Sequence, residues 1–259
     1  MLRSLKIGVS AGTASVLNLK KIKMLTPPTT AYIELGGACR NSCKFCARSR
    51  LSHAGEGLLS RVTWPLFEEN VVLESLKTSA EKNLIKRICL QVVNYEGCLK
   101  DSLKLIEKIK DKVHIPLSLS INLSRKDLFE RFFKAGADRI AVSIDAATPA
   151  IFKEVKGGHW NKLLKFARDK ELSSRLTVHI IAGLGETERE MVSLLRVLHK
   201  AGVTVALFAF TPIKGTPLAD RPPPSMPSIE CLSLLSRIMH PSGTIEFIDS
   251  QFPMYRVGG

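Results

Sequence analysis

At 259 residues and 45% hydrophobic composition, the chain can bury a sizeable core, as one large α/β domain or two small ones. No apolar run reaches the roughly 20 residues of a membrane-spanning helix, and six cysteines are too few for a disulfide scaffold in a chain of this size. A net charge of +14, from 38 basic and 24 acidic residues, suits an acidic partner (nucleic acid, an anionic cofactor or an acidic carrier protein) or a solvated lysine-rich surface, while 6% aromatics offer no evident stacking platform for single strands.

The first element is ambiguous. "MLRSLK" followed by "IGVSAGTASVLNL" loosely imitates a signal peptide, but Ser, Thr and Gly dilute the apolar stretch and Lys20, Lys21 and Lys23 follow it. Residues 1–29 therefore read as an N-terminal extension with a packing helix or strand at the domain edge, and the protein as cytoplasmic. Next comes a strand, "TAYIELGG" (30–37), and directly after it the loop "GGACRNSCKFCARSR". Further strands are expected at "RICLQVV" (87–93), "IPLSLSI" (115–121), "DRIAVSID" (138–145), "LTVHIIAG" (176–183), "VTVALFAF" (203–210) and "GTIEFID" (243–249). Several look apolar on both faces, as strands covered by helices are. Between them lie the amphipathic stretches "SLKLIEKIKDK", "RKDLFERFFKAG" and "EREMVSLLRVLHKAG"; the last two end in Ala-Gly, a helix stop. "LSRKD" and "GETERE" carry the Ser or Thr and nearby acid of helix starts.

A βα rhythm repeated six times implies a parallel sheet with right-handed crossovers. Six units are too few for a closed eight-fold barrel, so the expected architecture is an open, three-quarter TIM-type barrel over residues 30–220, with its active site at the C-terminal ends of the strands. "RPPPSMP" then opens a C-terminal segment, 221–259, of stiff linker, helix and short strand.

Cys39, Cys43 and Cys46 lie in the loop after the first strand. A disulfide staple is not needed. A structural zinc would want four ligands, with His53 the nearest fourth. An iron–sulfur cube has four irons, so three cysteines would leave one iron open to a ligand bringing its own amine and carboxylate.

Cys-x-x-x-Cys-x-x-Cys with Phe45 before the last cysteine resembles the loop of radical S-adenosylmethionine (SAM) enzymes. The resemblance implies a [4Fe–4S] cluster on Cys39, Cys43 and Cys46. SAM would bind the open iron through its methionine amine and carboxylate and be cleaved to a 5′-deoxyadenosyl radical, with electrons from a reductant such as ferredoxin or flavodoxin. Further stretches are similar to biotin synthase. "IAGLGETERE" resembles its "GLGET" turn and places Ile181, Gly183, Leu184 and Gly185 at the adenine. "VSIDAAT" places Ser143 and Asp145 at the ribose and methionine, although an Asp there is also a common helix cap. "ICLQVVN" places Gln91 and Asn94 beside the methionine amine, and "KGTPLAD" matches nearly letter for letter. Lys156 and His159 are candidates for the methionine carboxylate or for a solvated loop, and Arg48 and Arg50 flank the cluster loop.

The chain departs from biotin synthase where that enzyme holds its second, sulfur-donating cluster. Cys89 matches one ligand, but "IPLSLSIN" offers Ser118 and Ser120, and "LTVHII" offers Thr177. Cys89, Cys98 and Cys231 could hold a different auxiliary cluster or simply be buried apolar residues. "RVTWP" and the short C-terminus look like one protein of the two-component lipoyl synthases. That resemblance implies sulfur insertion into an octanoyl group on an acidic carrier protein, with a second related radical enzyme as partner. Two alternatives stand beside it. One is a methylornithine-forming or hydrogenase-maturation relative without sulfur insertion. The other is an RNA-modifying radical enzyme or nucleic-acid-binding metalloprotein. Trp64 and Trp160 read as packing anchors. His114, His179, His199 and His240 form no visible constellation.

Overall fold

Six parallel strands with helices between them form the body of the protein in a computed structural model, which describes residues 5–55, 57–59, 62–225 and 230. In chain order the elements are β1 (Lys6–Val9), α1 (Ala11–Val16), β2 (Thr30–Leu35), β3 (Leu58–Leu59), β4 (Val62–Thr63), β5 (Leu66–Glu68) and α2 (Glu69–Glu81). Then follow β6 (Arg87–Val92), α3 (Cys98–Lys112), β7 (Leu117–Ser120), α4 (Lys126–Lys134), β8 (Arg139–Asp145), α5 (Pro149–Val155), α6 (Trp160–Ala167), β9 (Leu176–Ala182), α7 (Glu188–Lys200) and β10 (Thr204–Ala209). The main sheet runs β10-β9-β8-β7-β6-β2-β1-β5. Every neighbouring pair from β2 to β10 is parallel. All six strands expected between residues 30 and 210 are present, within three residues at each end. The seventh candidate, 243–249, lies outside the described residues.

The N-terminal extension supplies both a strand and a helix. β1 pairs antiparallel with β2 on one side and β5 on the other, and so extends the parallel sheet at its edge. Thr13 on α1 ties the helix to β2 by accepting from the Tyr32 amide at 2.9 Å.

Helix ends follow the local sequence in three of the four cases read from it. Thr187 caps α7 in a reciprocal capping box with Glu190, and the helix stops at Ala201 before Gly202, whose φ is +72°. α4 also stops as expected, before Gly136. Its start differs: extended Arg125, not Ser124, precedes the helix and makes no side-chain cap. Arg125 instead pairs its guanidinium with Asp127.

The expectation of strands apolar on both faces needs correction. Only the face toward the helices is apolar. Ile33, Ile88, Leu90, Leu117, Leu119, Ile140, Val178 and Ile180 are fully buried there, against Leu105, Ile106, Phe129, Phe132 and Leu198. The opposite face is polar along whole registers. Tyr32 pairs with Cys89, Cys89 with Ser118, and Ser118 with Arg139. One step up, Glu34, Gln91, Ser120, Ala141, Thr177 and Thr204 follow each other across the sheet. A packed barrel core would carry layers of branched apolar residues here. These rows instead carry mostly hydroxyls, an amide and charges, and two of their members, Gln91 and Ser120, line a cavity.

Candidate active site

The cysteine loop begins where β2 ends, at the C-terminal edge of the sheet. Gly36 opens it at φ +107°, and a Cβ there would come within 2.7 Å of the Tyr95 ring, so only glycine lets the chain turn across that side chain. Tyr95 is itself held by donating its hydroxyl to Asp101 at 2.9 Å. From there backbone bonds moor the loop to the segment after β6 and to the C-terminal end of α5: the Arg40 amide donates to Asn94 O at 2.8 Å and the Lys44 amide to Val155 O at 2.7 Å. Asn94 Nδ2 donates to Asn41 Oδ1 at 2.7 Å, and the Asn41 amide points at Cys39 Sγ from 3.4 Å.

The result is a cavity of about 230 Å³ whose walls include Cys39, Cys43, Cys46, Phe45, Gln91, Asn94, Ser143 and Asp145. These eight were read from the sequence as separate candidates, and the fold brings them to one space. Ile181, Gly183, Leu184 and Gly185 do not line it. Ile181 packs with Phe45 against a small apolar cluster of Ala146, Phe152, Val155, Leu184 and Phe210 beside the cavity. The turn after Ile181 closes on its own Glu186, whose carboxylate accepts from the Gly183 and Leu184 amides at 2.6 and 3.0 Å.

Two ion pairs organise the charge. Lys156 donates from Nζ to Ser143 O and to Asp145 Oδ2, both at 2.6 Å. The residue is thus no solvated loop lysine. Asp145 has φ +58°, a left-handed conformation costing about 1 kcal/mol in a non-glycine residue. A register shift between Ser143 and Asp145 interrupts the β8–β9 ladder at the same place. Asp145 does not cap α5; Thr148 does, accepting from the Ile151 amide. The strained backbone turns the Asp145 carboxylate toward Lys156 instead.

The second pair is Glu34 with Arg48. Glu34 is completely buried on β2, and Arg48 reaches it from the cysteine loop, donating from Nε and Nη2 to the two carboxylate oxygens. Burial pushes the Glu34 carboxyl up to about 7 even though Arg48 pulls the other way. Gly8, its register partner on β1, leaves the room, since a Cβ there would lie 3.2 Å from Glu34 Cβ. Glu34 was missed from the sequence; its signal is a lone acid inside the apolar run "TAYIEL". Arg50, by contrast, faces water.

Other residues divide as follows. His179, for which no constellation was visible, lines the cavity in register with Ser143 and stands edge-on to Phe208. Desolvation lowers its pKa to about 4, with Lys156 adding to the shift and Asp145 opposing it, so the imidazole is neutral at pH 7. His159 is exposed and away from the cavity. Trp64 and Trp160 are packing anchors, donating their indole N–H to Leu59 O and Ala146 O. Cys89 is on the polar face of β6, accepting from Gln91 Nε2 at 3.2 Å, whereas Cys98 is buried in the first turn of α3. Cys231 lies outside the described residues.

The donor set fits a polynuclear cluster better than a lone ion. Among the described residues no three His, Cys, Asp or Glu groups converge on one point as ligands of a single metal would. His53, the candidate fourth zinc ligand, is exposed. The three cysteines all line the same cavity, and three thiolates are what a cluster with one open iron would need. Burial pushes the Cys43 thiol up to about 12 and raises Cys46 as well, so without a metal these are neutral thiols. Lys156 opposes the shift at Cys43 and would help hold the thiolate that metal binding creates.

A family model described as the Radical SAM superfamily matches residues 33–198. Biotin synthase of Thermus thermophilus is 27% identical over 191 residues, covering 71% of this chain and 56% of that protein. The chain therefore spans little more than half the length of that relative. Among solved structures, methylornithine synthase superposes with a TM-score of 0.65 at 18% identity, covering 80% of this chain and 63% of that one. HydG, a maturase of the [FeFe]-hydrogenase, also gives 0.65, at 13% identity and 81% and 49% coverage. These last two likenesses concern the fold alone.

Proposed function

We propose, from the premise that the chain belongs to the radical SAM superfamily, that it inserts sulfur into an octanoyl group carried on an acidic protein domain, working with a second, related radical enzyme. The observation that carries the reading is the shared cavity. Three cysteines face Gln91, Asn94, Ser143 and Asp145 across about 230 Å³ at the C-terminal ends of parallel strands. Cys39, Cys43 and Cys46 would hold a [4Fe–4S] cluster, which together with SAM supplies a 5′-deoxyadenosyl radical able to take hydrogen from an unactivated carbon.

The chain's own residues then have distinct tasks. Lys156 and Asp145 present opposite charges at one rim, suited to the carboxylate and ammonium of an amino acid. Ser143, Gln91 and Asn94 offer neutral hydrogen-bonding groups along the wall. Ile121, Leu123, Val142 and Leu163 supply an apolar side on which an alkyl chain can lie and from which water is excluded. The net charge of +14 suits an acidic carrier domain.

A single-cluster enzyme acting on a polar substrate is the second reading. It is favoured by the register row around Cys89, whose other members are Tyr32, Ser118 and Arg139 rather than further cysteines.

Anaerobic reconstitution followed by iron and sulfide counting separates them. The reading expects iron beyond about four per chain, and about four irons surviving when Cys39, Cys43 and Cys46 are all changed to Ala. It also expects a lipoyl product on an octanoylated carrier when both radical enzymes, SAM and dithionite are present. Loss of all iron in the triple variant would refute an auxiliary cluster. 5′-Deoxyadenosine formed with no change in the carrier's mass would refute the substrate.

A further inference from the structure

"KGTPLAD" matched biotin synthase in sequence, yet none of its residues lines the cavity. Its neighbours explain what it touches. Gly215 O accepts from the His53 amide at 2.7 Å and from Ser52 Oγ at 3.4 Å, on the C-terminal arm of the cysteine loop. The Leu218 amide donates to Lys44 O at 3.2 Å, between the second and third cysteines. Leu218 also packs against the apolar cluster that receives Phe45. A few residues on, Arg221 donates to Leu184 O, and Pro224 lies against Gly183, where a Cβ would come within 2.7 Å of its ring. One stretch, 214–224, thus spans two motifs far apart in sequence: the cysteine loop and the "GLGET" turn.

We infer that this stretch is a strap that sets the position of the cysteine loop, and that Gly215 is the positioning residue at its tightest point. Gly215 has φ +88°, and a Cβ on it would stand 2.7 Å from Ala54 N, 2.8 Å from His53 C and 2.9 Å from His53 O. All three are backbone atoms, so no side chain can swing aside. Either the strap lifts or the cysteine loop moves. The loop's other backbone moorings, Arg40 to Asn94 and Lys44 to Val155, hold only its N-terminal and middle parts. Beyond Cys46 the arm is held by the Arg48–Glu34 pair and, from the far end of the barrel, by the strap. Gly215 touches no cysteine and acts only through the backbone it presses on.

The inference rests on the reading that Cys39, Cys43 and Cys46 hold an iron–sulfur cluster, and the test keeps the two apart. Gly215→Ala is compared with Gly202→Ala. Gly202 has φ +72° with nothing within 4 Å of a Cβ, so its variant carries the left-handed backbone penalty without the clash. Ser52→Ala removes the Ser52 contact to Gly215 O and adds no atoms. Each full-length protein is reconstituted anaerobically; iron content, the electron paramagnetic resonance signal of the reduced cluster and the thermal midpoint before reconstitution are recorded. The expected result is similar loss of thermal midpoint in both glycine variants, with cluster content at least about halved, or the resonance signal altered, only in Gly215→Ala. Ser52→Ala should shift the same signal in the same direction by less. A folded Gly215→Ala protein with wild-type iron content and an unchanged signal would overturn the strap, as would equal losses of iron in both glycine variants. Wild-type protein that takes up no iron would instead overturn the cluster reading.

Discussion

The two faces of the central sheet obey opposite rules. Toward the helices, Ile33, Ile88, Leu90, Leu117, Leu119 and Ile140 are wholly buried in one apolar cluster. Toward the barrel interior, the same strands present Glu34, Gln91, Ser118, Ser120, Ser143 and His179. One residue of offset separates them, because strand side chains alternate. The first face stores the stability; the second spends it, burying a carboxylate and a histidine and straining Asp145. A change on the helix side should therefore cost folding, and a change on the inner side should cost chemistry.

The largest effect is expected at the cysteines. Cys43→Ala should abolish loading of the cluster held by Cys39, Cys43 and Cys46 and with it SAM cleavage, read as 5′-deoxyadenosine released with dithionite, while circular dichroism shows the fold retained. If the variant unfolds instead, the cysteine loop belongs to the stability face and the contrast fails. Next, Phe132→Ala, deep on the helix side, should destabilise by about 3–5 kcal/mol in urea unfolding. The protein that remains folded should still load iron as the wild type does.

The two buried titrating groups of the inner face sharpen the comparison. His179 has a folded pKa near 4, below its ordinary 6.5, so its stabilising contribution is full above about 6.5 and is lost as pH falls toward 4. Glu34 has a folded pKa near 7, above its ordinary 4.5, so its contribution is full below about 4.5 and is lost as pH rises toward 7. In the wild type the two slopes oppose each other. His179→Gln should leave a protein that loses stability between pH 5 and 7; Glu34→Gln should leave one that gains it. Each change should amount to about 1–3 kcal/mol across that window, measured by urea midpoints. Identical slopes in all three proteins would remove the titrating inner face from the account.

The smallest effect is expected at Ser118, whose hydroxyl accepts from Arg87 at 3.1 Å. Ser118→Ala should change stability by no more than about 1 kcal/mol. KM for the substrate should change as little, because Ser118 does not line the cavity. A loss as large as that of Phe132→Ala would mean that the inner face is packed core after all.

Much of this was legible before any coordinates. The six strands, the "GETERE" capping box and the Ala-Gly helix stops are local features, set by side-chain periodicity and backbone preference within a few residues. The cysteine triplet was legible for the same reason: its chemistry depends on spacing in one loop. His179 was not, because a histidine in "LTVHII" reads the same whether its strand face meets a helix or a cavity. Glu34 and Arg48, fourteen residues apart, announce nothing as a pair until β1 brings Gly8 alongside.

By itself, then, the sequence determined the βα order, three of the four helix ends read from it and the three-thiol loop, all products of short-range sterics and composition. Only the tertiary structure decided that the interior is largely polar, that Lys156 is held by Asp145 and Ser143, and that "KGTPLAD" grips the cysteine loop from 163 residues away, Ser52 to Gly215. The physical reason is distance along the chain. Periodicity reports which residues share a face, but what that face meets depends on elements brought back by folding. At Gly215 the deciding quantity is the missing volume of one methyl group between two backbones.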